Sequence, residues 1–188
     1  MTRNKSIPET AIRDLIVTTI AVKYTQSNSV GYGLDGQIIG LGAGQQSRVD
    51  CVKLAGRKVE TWYLRRHPKA LGLRFKAAVK RQDKVNARVR YIEGDMTAAE
   101  KKAWAELFEK LPPALTPEDK DEFMKTLEGV SLSSDAFFPF RDNIDQASRR
   151  GVQYIVQTGG STRDEEVIAA ADEYGMAMAL SGIRLFHH

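Results

Sequence analysis

The stretch Ser133-Ser134-Asp135-Ala136-Phe137-Phe138-Pro139-Phe140-Arg141-Asp142 combines residue types that ordinary packing explains least. Three phenylalanines fall within four residues, a proline among them removes a backbone donor and fixes φ, and Asp135 and Arg141-Asp142 bracket the run. A half-buried strand would alternate, and a helix would avoid the proline. What is left is a pocket wall, where aromatic faces cover a flat ligand and charged groups orient it, or a buried aromatic corner with solvated charges beside it.

Two glycine loops add a second kind of chemistry. Gly40-Leu41-Gly42-Ala43-Gly44-Gln45-Gln46-Ser47-Arg48 leads from an expected strand into an expected helix, and Thr158-Gly159-Gly160-Ser161-Thr162 does the same later in the chain. Glycines before a helix start let a ligand approach the backbone, and the helix N-terminus favours an anion such as phosphate. The first loop is neither the dinucleotide fingerprint nor a Walker A motif, so a plain tight turn stays open for it. Cys51 is the single cysteine and the histidines are His67, His187 and His188, so the spacing offers no disulfide and no metal cluster.

The elements that must position these residues follow from patterning. Ser6-Ile7-Pro8-Glu9 reads as a capping box with Pro in the first turn of a helix that runs to about Val22 and buries Ile12, Leu15, Ile16, Thr19 and Ile20. After the polar loop Lys23-Tyr24-Thr25-Gln26-Ser27-Asn28-Ser29, residues 30–32 and 37–41 form a hairpin about Asp35-Gly36. The next helix offers Val49, Val52, Leu54, Ala55 and Val59 to a core. Residues 62–95 have no clean period, and capped helices open at Thr97-Ala98-Ala99-Glu100 (through Leu111) and Thr116-Pro117-Glu118-Asp119 (through Leu127). A short helix over 143–150, a strand over 152–157, a helix to Tyr174 and a strand over 176–180 complete the chain. The last strand–helix–strand unit implies a right-handed crossover and parallel pairing. The class is therefore α/β, a mixed sheet with flanking helices and a helical, basic insertion at about 62–130 in one domain spanning 1–188.

Composition narrows the partners. The 188 residues are 42% hydrophobic, enough for one sizeable core, and the sequence has no apolar run of membrane-spanning length and no secretory signal, which places the protein in the cytoplasm. The net charge of +4 hides a local excess: residues 53–90 hold 13 Lys and Arg against Glu60 and Asp83. Such a block can track a nucleic-acid backbone, attract an anionic metabolite or be a solvated insertion. Single-strand binding would need interleaved exposed aromatics, and Trp62, Tyr63 and Phe75 are the only candidates, so nucleic acid ranks last.

Four of the segments named so far occur together in one family. Lys23-Tyr24-Thr25-Gln26-Ser27-Asn28-Ser29-Val30, Gly42-Ala43-Gly44-Gln45-Gln46-Ser47-Arg48, the run from Ser134 to Asp142, and the terminal Arg184-Leu185-Phe186-His187-His188 resemble the C-terminal part of aminoimidazolecarboxamide ribonucleotide (AICAR) transformylase. That activity is usually fused to inosine monophosphate (IMP) cyclohydrolase. The resemblance covers nearly the whole chain, and the stretch from Trp62 through the two capped helices is similar to the longer form of the family.

The resemblance implies a fold similar to cytidine deaminase without its zinc, and formyl transfer from 10-formyltetrahydrofolate to the 5-amino group of AICAR in purine biosynthesis. By position, Asn28, Arg48, Phe137 and Arg184 match residues around the ribonucleotide, and Val49, Asp142, Ser161 and Thr162 match the folate side. Family members form active sites near a dimer interface and use a Lys-His pair from an earlier, homologous domain. This sequence contains no Lys-His dipeptide. His188 would assist the missing pair or simply be tied down by packing. The expectation is therefore an excised domain or one half of a split enzyme, inactive alone, with a noncatalytic purine-nucleotide or folate-binding module as the alternative. Replacing Arg48 or Arg184 by alanine should weaken ribonucleotide affinity without altering the melting temperature, whereas Phe137→Ala should lower both.

Overall fold

A computed structural model describes residues 1–186 and divides them into two units, Met1–Glu60 with the chain from Lys125 onward, and Thr61–Met124 between them. The first unit is built on helix α1 (Glu9–Lys23), strands β1 (Ser29–Leu34) and β2 (Gln37–Ala43), and helix α2, which begins at Arg48 and runs to Leu64. The second holds the short α3 (Pro68–Leu71), α4 (Arg81–Glu93), α5 (Ala98–Ala105) and α6 (Pro117–Met124). The chain then adds β3 (Val130–Ser134), α7 (Asp142–Ser148), β4 (Val152–Gln157), α8 (Asp164–Glu173) and β5 (Ala177–Leu180) to the first unit.

The five strands form one sheet in the order β2-β1-β3-β4-β5. β1 pairs antiparallel with β2 and β3, and β3-β4 and β4-β5 are parallel. The α/β class and the mixed sheet flanked by helices thus hold. So does the hairpin: Asp35 and Gly36 have φ of 52° and 75°, the pair of positive values that a two-residue turn matching strand twist requires. The carboxylate of Asp14, 3% exposed, accepts the Gly36 N–H at 2.6 Å and so fastens that turn to α1.

β3 lies outside every strand expected from patterning. All five of its residues are buried, but three of them are serines, which reads as polar loop rather than core strand. The helix above supplies the reason. Ser131 and Ser133 donate to the α1 carbonyls of Ala11 (3.5 Å) and Leu15 (3.2 Å), and Ser133 Oγ lies 3.0 Å from Thr19 Oγ1. A Cβ on Gly31 or Gly33 would fall 2.7 Å and 2.2 Å from Thr18 side-chain atoms. The sheet surface beneath α1 is therefore made of small residues, and the helix approaches it closely through Ala11, Leu15, Thr18 and Val22.

That approach overturns much of the expected buried face of α1, although Leu15 is buried and Thr19 half-buried as expected. Ile12, Ile16 and Ile20 are 46%, 54% and 54% exposed, because the small face docks and the isoleucines are left on the other side. The expected capping box is also absent: Pro8 occupies the N-cap, and the Ser6 N–H donates to Asn4 Oδ1. In the second unit, by contrast, Thr97 and Glu100 form the reciprocal box, and Thr116 and Asp119 exchange N–H bonds at 2.9 and 3.2 Å. The helices they open are shorter than expected, ending at Ala105 and Met124. Tyr91 and Trp104 stack at 6.0 Å with planes 6° apart, and the Trp104 Nε1–H donates to Ala87 O at 2.9 Å.

Candidate functional site

Arg48, the first residue of α2, is the most constrained charged side chain near the first glycine loop. It is 6% exposed, and its Nη1 pairs with the carboxylate of Asp135, itself 0% exposed. Nη1 also donates to Ser134 Oγ at 3.0 Å, and Nη2 donates to Asn28 Oδ1 at 2.8 Å. The amide of Asn28 is held in turn, its Nδ2 donating to Gln45 O at 2.9 Å. Ser47 completes the helix start: its Oγ donates to Asp50 Oδ2 at 2.6 Å and accepts the Asp50 N–H at 3.2 Å. Asn28 and Arg48 therefore meet because the loop before β1 and the N-terminus of α2 converge at one end of the sheet.

An open cleft of about 480 Å³ lies over this network. Asn28, Gln46, Ser47, Arg48 and Val49 form one side, and Ala136, Phe137, Pro139, Phe140, Asp142 and Asn143 the other, with Arg184 and Phe186 from the terminal segment. The aromatic turn divides its phenylalanines between the two roles left open by the sequence. Phe138 is fully buried, its N–H donating to Gln157 Oε1 at 3.0 Å, whereas Phe137 and Phe140 are 38% and 48% exposed on the cleft. Asn143, 1% exposed, donates to Phe140 O at 3.0 Å and to Asp142 Oδ1 at 2.8 Å, fixing one oxygen of an otherwise exposed carboxylate. Arg184 is exposed, with its guanidinium 4.9 Å from the centre of the Phe186 ring.

Electrostatically the two arginines differ. The Arg48–Asp135 pair is neutral as a unit, so Arg48 offers directed N–H donors, while Arg184 brings a solvated positive charge. Cys51 beside them is inert: burial pushes its thiol up to about 11, and Sγ donates to Asn28 O at 3.0 Å. Among the described residues no group of three His, Cys, Asp or Glu side chains could hold a metal ion, and no helix is long and apolar enough to cross a membrane.

Six of the eight binding residues named from the sequence line this cleft: Asn28, Arg48, Val49, Phe137, Asp142 and Arg184. Ser161 and Thr162 do not. They sit in the loop between β4 and α8, where Ser161 Oγ accepts the Arg163 N–H at 3.1 Å and Thr162 is exposed. That loop borders the cleft indirectly, through the Arg163 guanidinium 4.9 Å from the Phe140 ring centre and a Thr158 Oγ1 bond to Ile183 O at 2.9 Å. His188 lies outside the described residues.

Most of the glycines in the first loop serve packing. A Cβ on Gly40 or Gly42 would stand 2.4 Å from Ala55 O and 2.2 Å from Cys51 O, so both glycines let β2 press against α2, and only Gly44, at φ 67°, belongs to the turn. The residue that sequence reasoning passed over is Asp135. It stood in the aromatic stretch as one of the bracketing charges, and nothing in the local pattern separates a buried ionic partner from a solvated one.

The chain matches the family described as AICARFT/IMPCHase bienzyme over residues 1–58. It is also 36% identical over 176 residues to the bifunctional purine biosynthesis protein PurH of Acidithiobacillus ferrooxidans, an alignment that takes in 94% of this chain and 22% of that relative. The chain thus spans about a fifth of the relative's length. Together the two matches make the chain similar to part of a bifunctional purine biosynthesis protein.

Proposed function

We propose that this PurH-like chain is the C-terminal part of an AICAR transformylase, holding the ribonucleotide and 10-formyltetrahydrofolate while a formyl group passes to the 5-amino group of AICAR on the way to IMP. The observation that carries the proposal is the convergence of Asn28, Arg48, Val49, Phe137, Asp142 and Arg184, drawn from four separate stretches of sequence, on one cleft.

Each residue has a chemical task in this scheme. Arg184, the solvated cation, holds the phosphate; Arg48 and Asn28, both fixed by neighbours, direct donors and an amide at the carboxamide. Phe137 and Phe140 supply exposed faces for flat rings. Asp142 accepts hydrogen bonds from the pterin edge, next to Val49, and Ser161 and Thr162 extend the folate side beyond Phe140. The cleft is open and wide enough for one such ligand end, and it combines apolar faces with polar groups that can orient a ligand.

What these residues do not provide is a base. The 5-amino lone pair is delocalised into the ring and the carboxamide, so attack on the formyl carbon needs a positioned proton acceptor and a donor for the oxyanion. With no Lys-His dipeptide in the sequence, both come in this proposal from a Lys-His-bearing half, in a homodimeric cytoplasmic enzyme, with His188 at most assisting. Loss of a general base typically costs ~10²–10⁴-fold in rate, so the chain alone should transfer formyl groups at that depressed level.

The same absence favours one other reading, a noncatalytic module that binds a purine ribonucleotide or folate. A formyl-transfer assay separates the two. Activity that appears when a Lys-His-bearing half is added supports the transferase; binding of both ligands with no turnover in any combination supports the module. Full activity from this chain alone would contradict the assignment of the base to another half.

A further inference from the structure

We propose that Asp135 is the positioning residue of the cleft, its carboxylate holding Arg48 so that the unused part of the guanidinium serves the ligand, and its backbone holding the segment that carries Arg184; this rests on the ribonucleotide reading above. A guanidinium has five N–H donors in a fixed plane. In Arg48 the Nη1 hydrogens are taken up by Asp135 and Ser134, with Ser29 O a further 3.5 Å acceptor, and one Nη2 hydrogen goes to Asn28. One hydrogen on Nε and one on Nη2 have no partner among the described residues, and Arg48 lines the cleft. Two donors are therefore left free by the described residues, and in this proposal they serve the ligand.

Asp135 can fix that orientation because it is itself fixed. It follows β3 directly, and its Oδ2 accepts the Ser29 N–H at 3.1 Å while its own N–H donates to Ser29 O at 3.2 Å, so the carboxylate is anchored to the first residue of β1. Its backbone carbonyl accepts the Leu185 N–H at 2.8 Å, one residue after Arg184. One buried residue thus joins the sheet end, the start of α2 and the terminal segment. A guanidinium locked in this way loses little conformational freedom on binding, whereas a freed one must be ordered at the moment of association. The Asp135 carboxylate also compensates the charge of Arg48, which suits it to a neutral carboxamide oxygen and leaves the phosphate to Arg184.

The test uses the full chain, calorimetric titration with AICAR, and NMR of the arginine guanidinium groups, on the unchanged protein, Asp135→Asn, and Asp145→Asn as a control that removes one of the two carboxylate partners of Arg141, neither Asp145 nor Arg141 lining the cleft. The proposal predicts separate, slowly exchanging Nη signals for Arg48 in the unchanged chain. In Asp135→Asn, folded by circular dichroism, those signals should merge and affinity should fall roughly tenfold or more, while Asp145→Asn should change it less than about threefold. A folded Asp135→Asn that binds like the unchanged chain overturns the proposal. If Asp135→Asn does not fold, the unchanged chain decides: resolved Arg48 signals whose Nε shifts with AICAR support it, and averaged Nη signals overturn it. An unchanged chain that binds no AICAR defeats the ribonucleotide reading, and the Nη signals then judge the locking of Arg48 by themselves.

Discussion

At the scale of residues, the two arginines of the cleft should part company under mutation. Removing Arg48 leaves the Asp135 carboxylate buried without its partner, a change that costs about 3–5 kcal/mol, so Arg48→Ala should lower the melting temperature sharply as well as ligand affinity. Arg184 is exposed, so Arg184→Ala should leave the melt nearly unchanged and weaken AICAR binding roughly tenfold to a hundredfold. The sequence suggested the same behaviour for both, because a motif position says what a side chain faces and not what else it holds. The phenylalanines divide in the same way. Phe138→Ala should cost about 3–5 kcal/mol, and Phe137→Ala, on the cleft rim, clearly less in thermal melts. The core aromatic is therefore Phe138, one position from the one expected to play both parts.

At the scale of elements, what was legible was whatever local chemistry dictates. The Asp35-Gly36 hairpin, the Thr97 box and the strands β4 and β5 follow from turn residues, caps and apolar runs. What was hidden depended on close approach. β3 was not expected because its serines, Ser131 and Ser133 among them, face a helix whose backbone comes within hydrogen-bonding reach, and α1 docks through Ala11, Leu15, Thr18 and Val22 with its three isoleucines left exposed. The same logic reassigns the glycines of β2. Gly42→Ala should destabilise by ~1–3 kcal/mol in chemical denaturation, since its Cβ would press on the Cys51 carbonyl, which as helix backbone cannot step aside. If Gly42→Ala kept full stability but lost AICAR binding, the ligand-approach role left open by the sequence would be the right one.

At the scale of the whole molecule, part of the basic excess over 53–90 is paired inside the second unit. Lys69 pairs with Asp119 at 2.5 Å, Arg90 with Glu100 at 2.5 Å, and Arg66 stacks 3.9 Å from the Trp62 ring centre. These partners carry a pH signature. Bonds from the Thr97 backbone N–H, from Arg90 and from the Thr97 hydroxyl hold the Glu100 carboxyl down to about 2, and Lys69, with the Thr116 backbone, does the same for Asp119. Depressed carboxylates contribute stability above their unfolded values near 4 and lose it as pH falls through the folded ones. The melting temperature should therefore decline between about pH 4 and pH 2, and Glu100→Gln should flatten part of that decline. A melt independent of pH across that window would show that these contacts are not maintained in solution.

On the proposed reading a ribonucleotide belongs in the cleft of the first unit and not on the basic helices of the second. Backbone amide NMR of the labelled chain during an AICAR titration tests this most directly. The shifts should concentrate at Asn28, at 46–49, at 136–142 and at Arg184, leaving Arg81, Lys84 and Arg88 unmoved. Saturating AICAR that moves none of the cleft amides, or moves those of α4 instead, would contradict the assignment of the cleft.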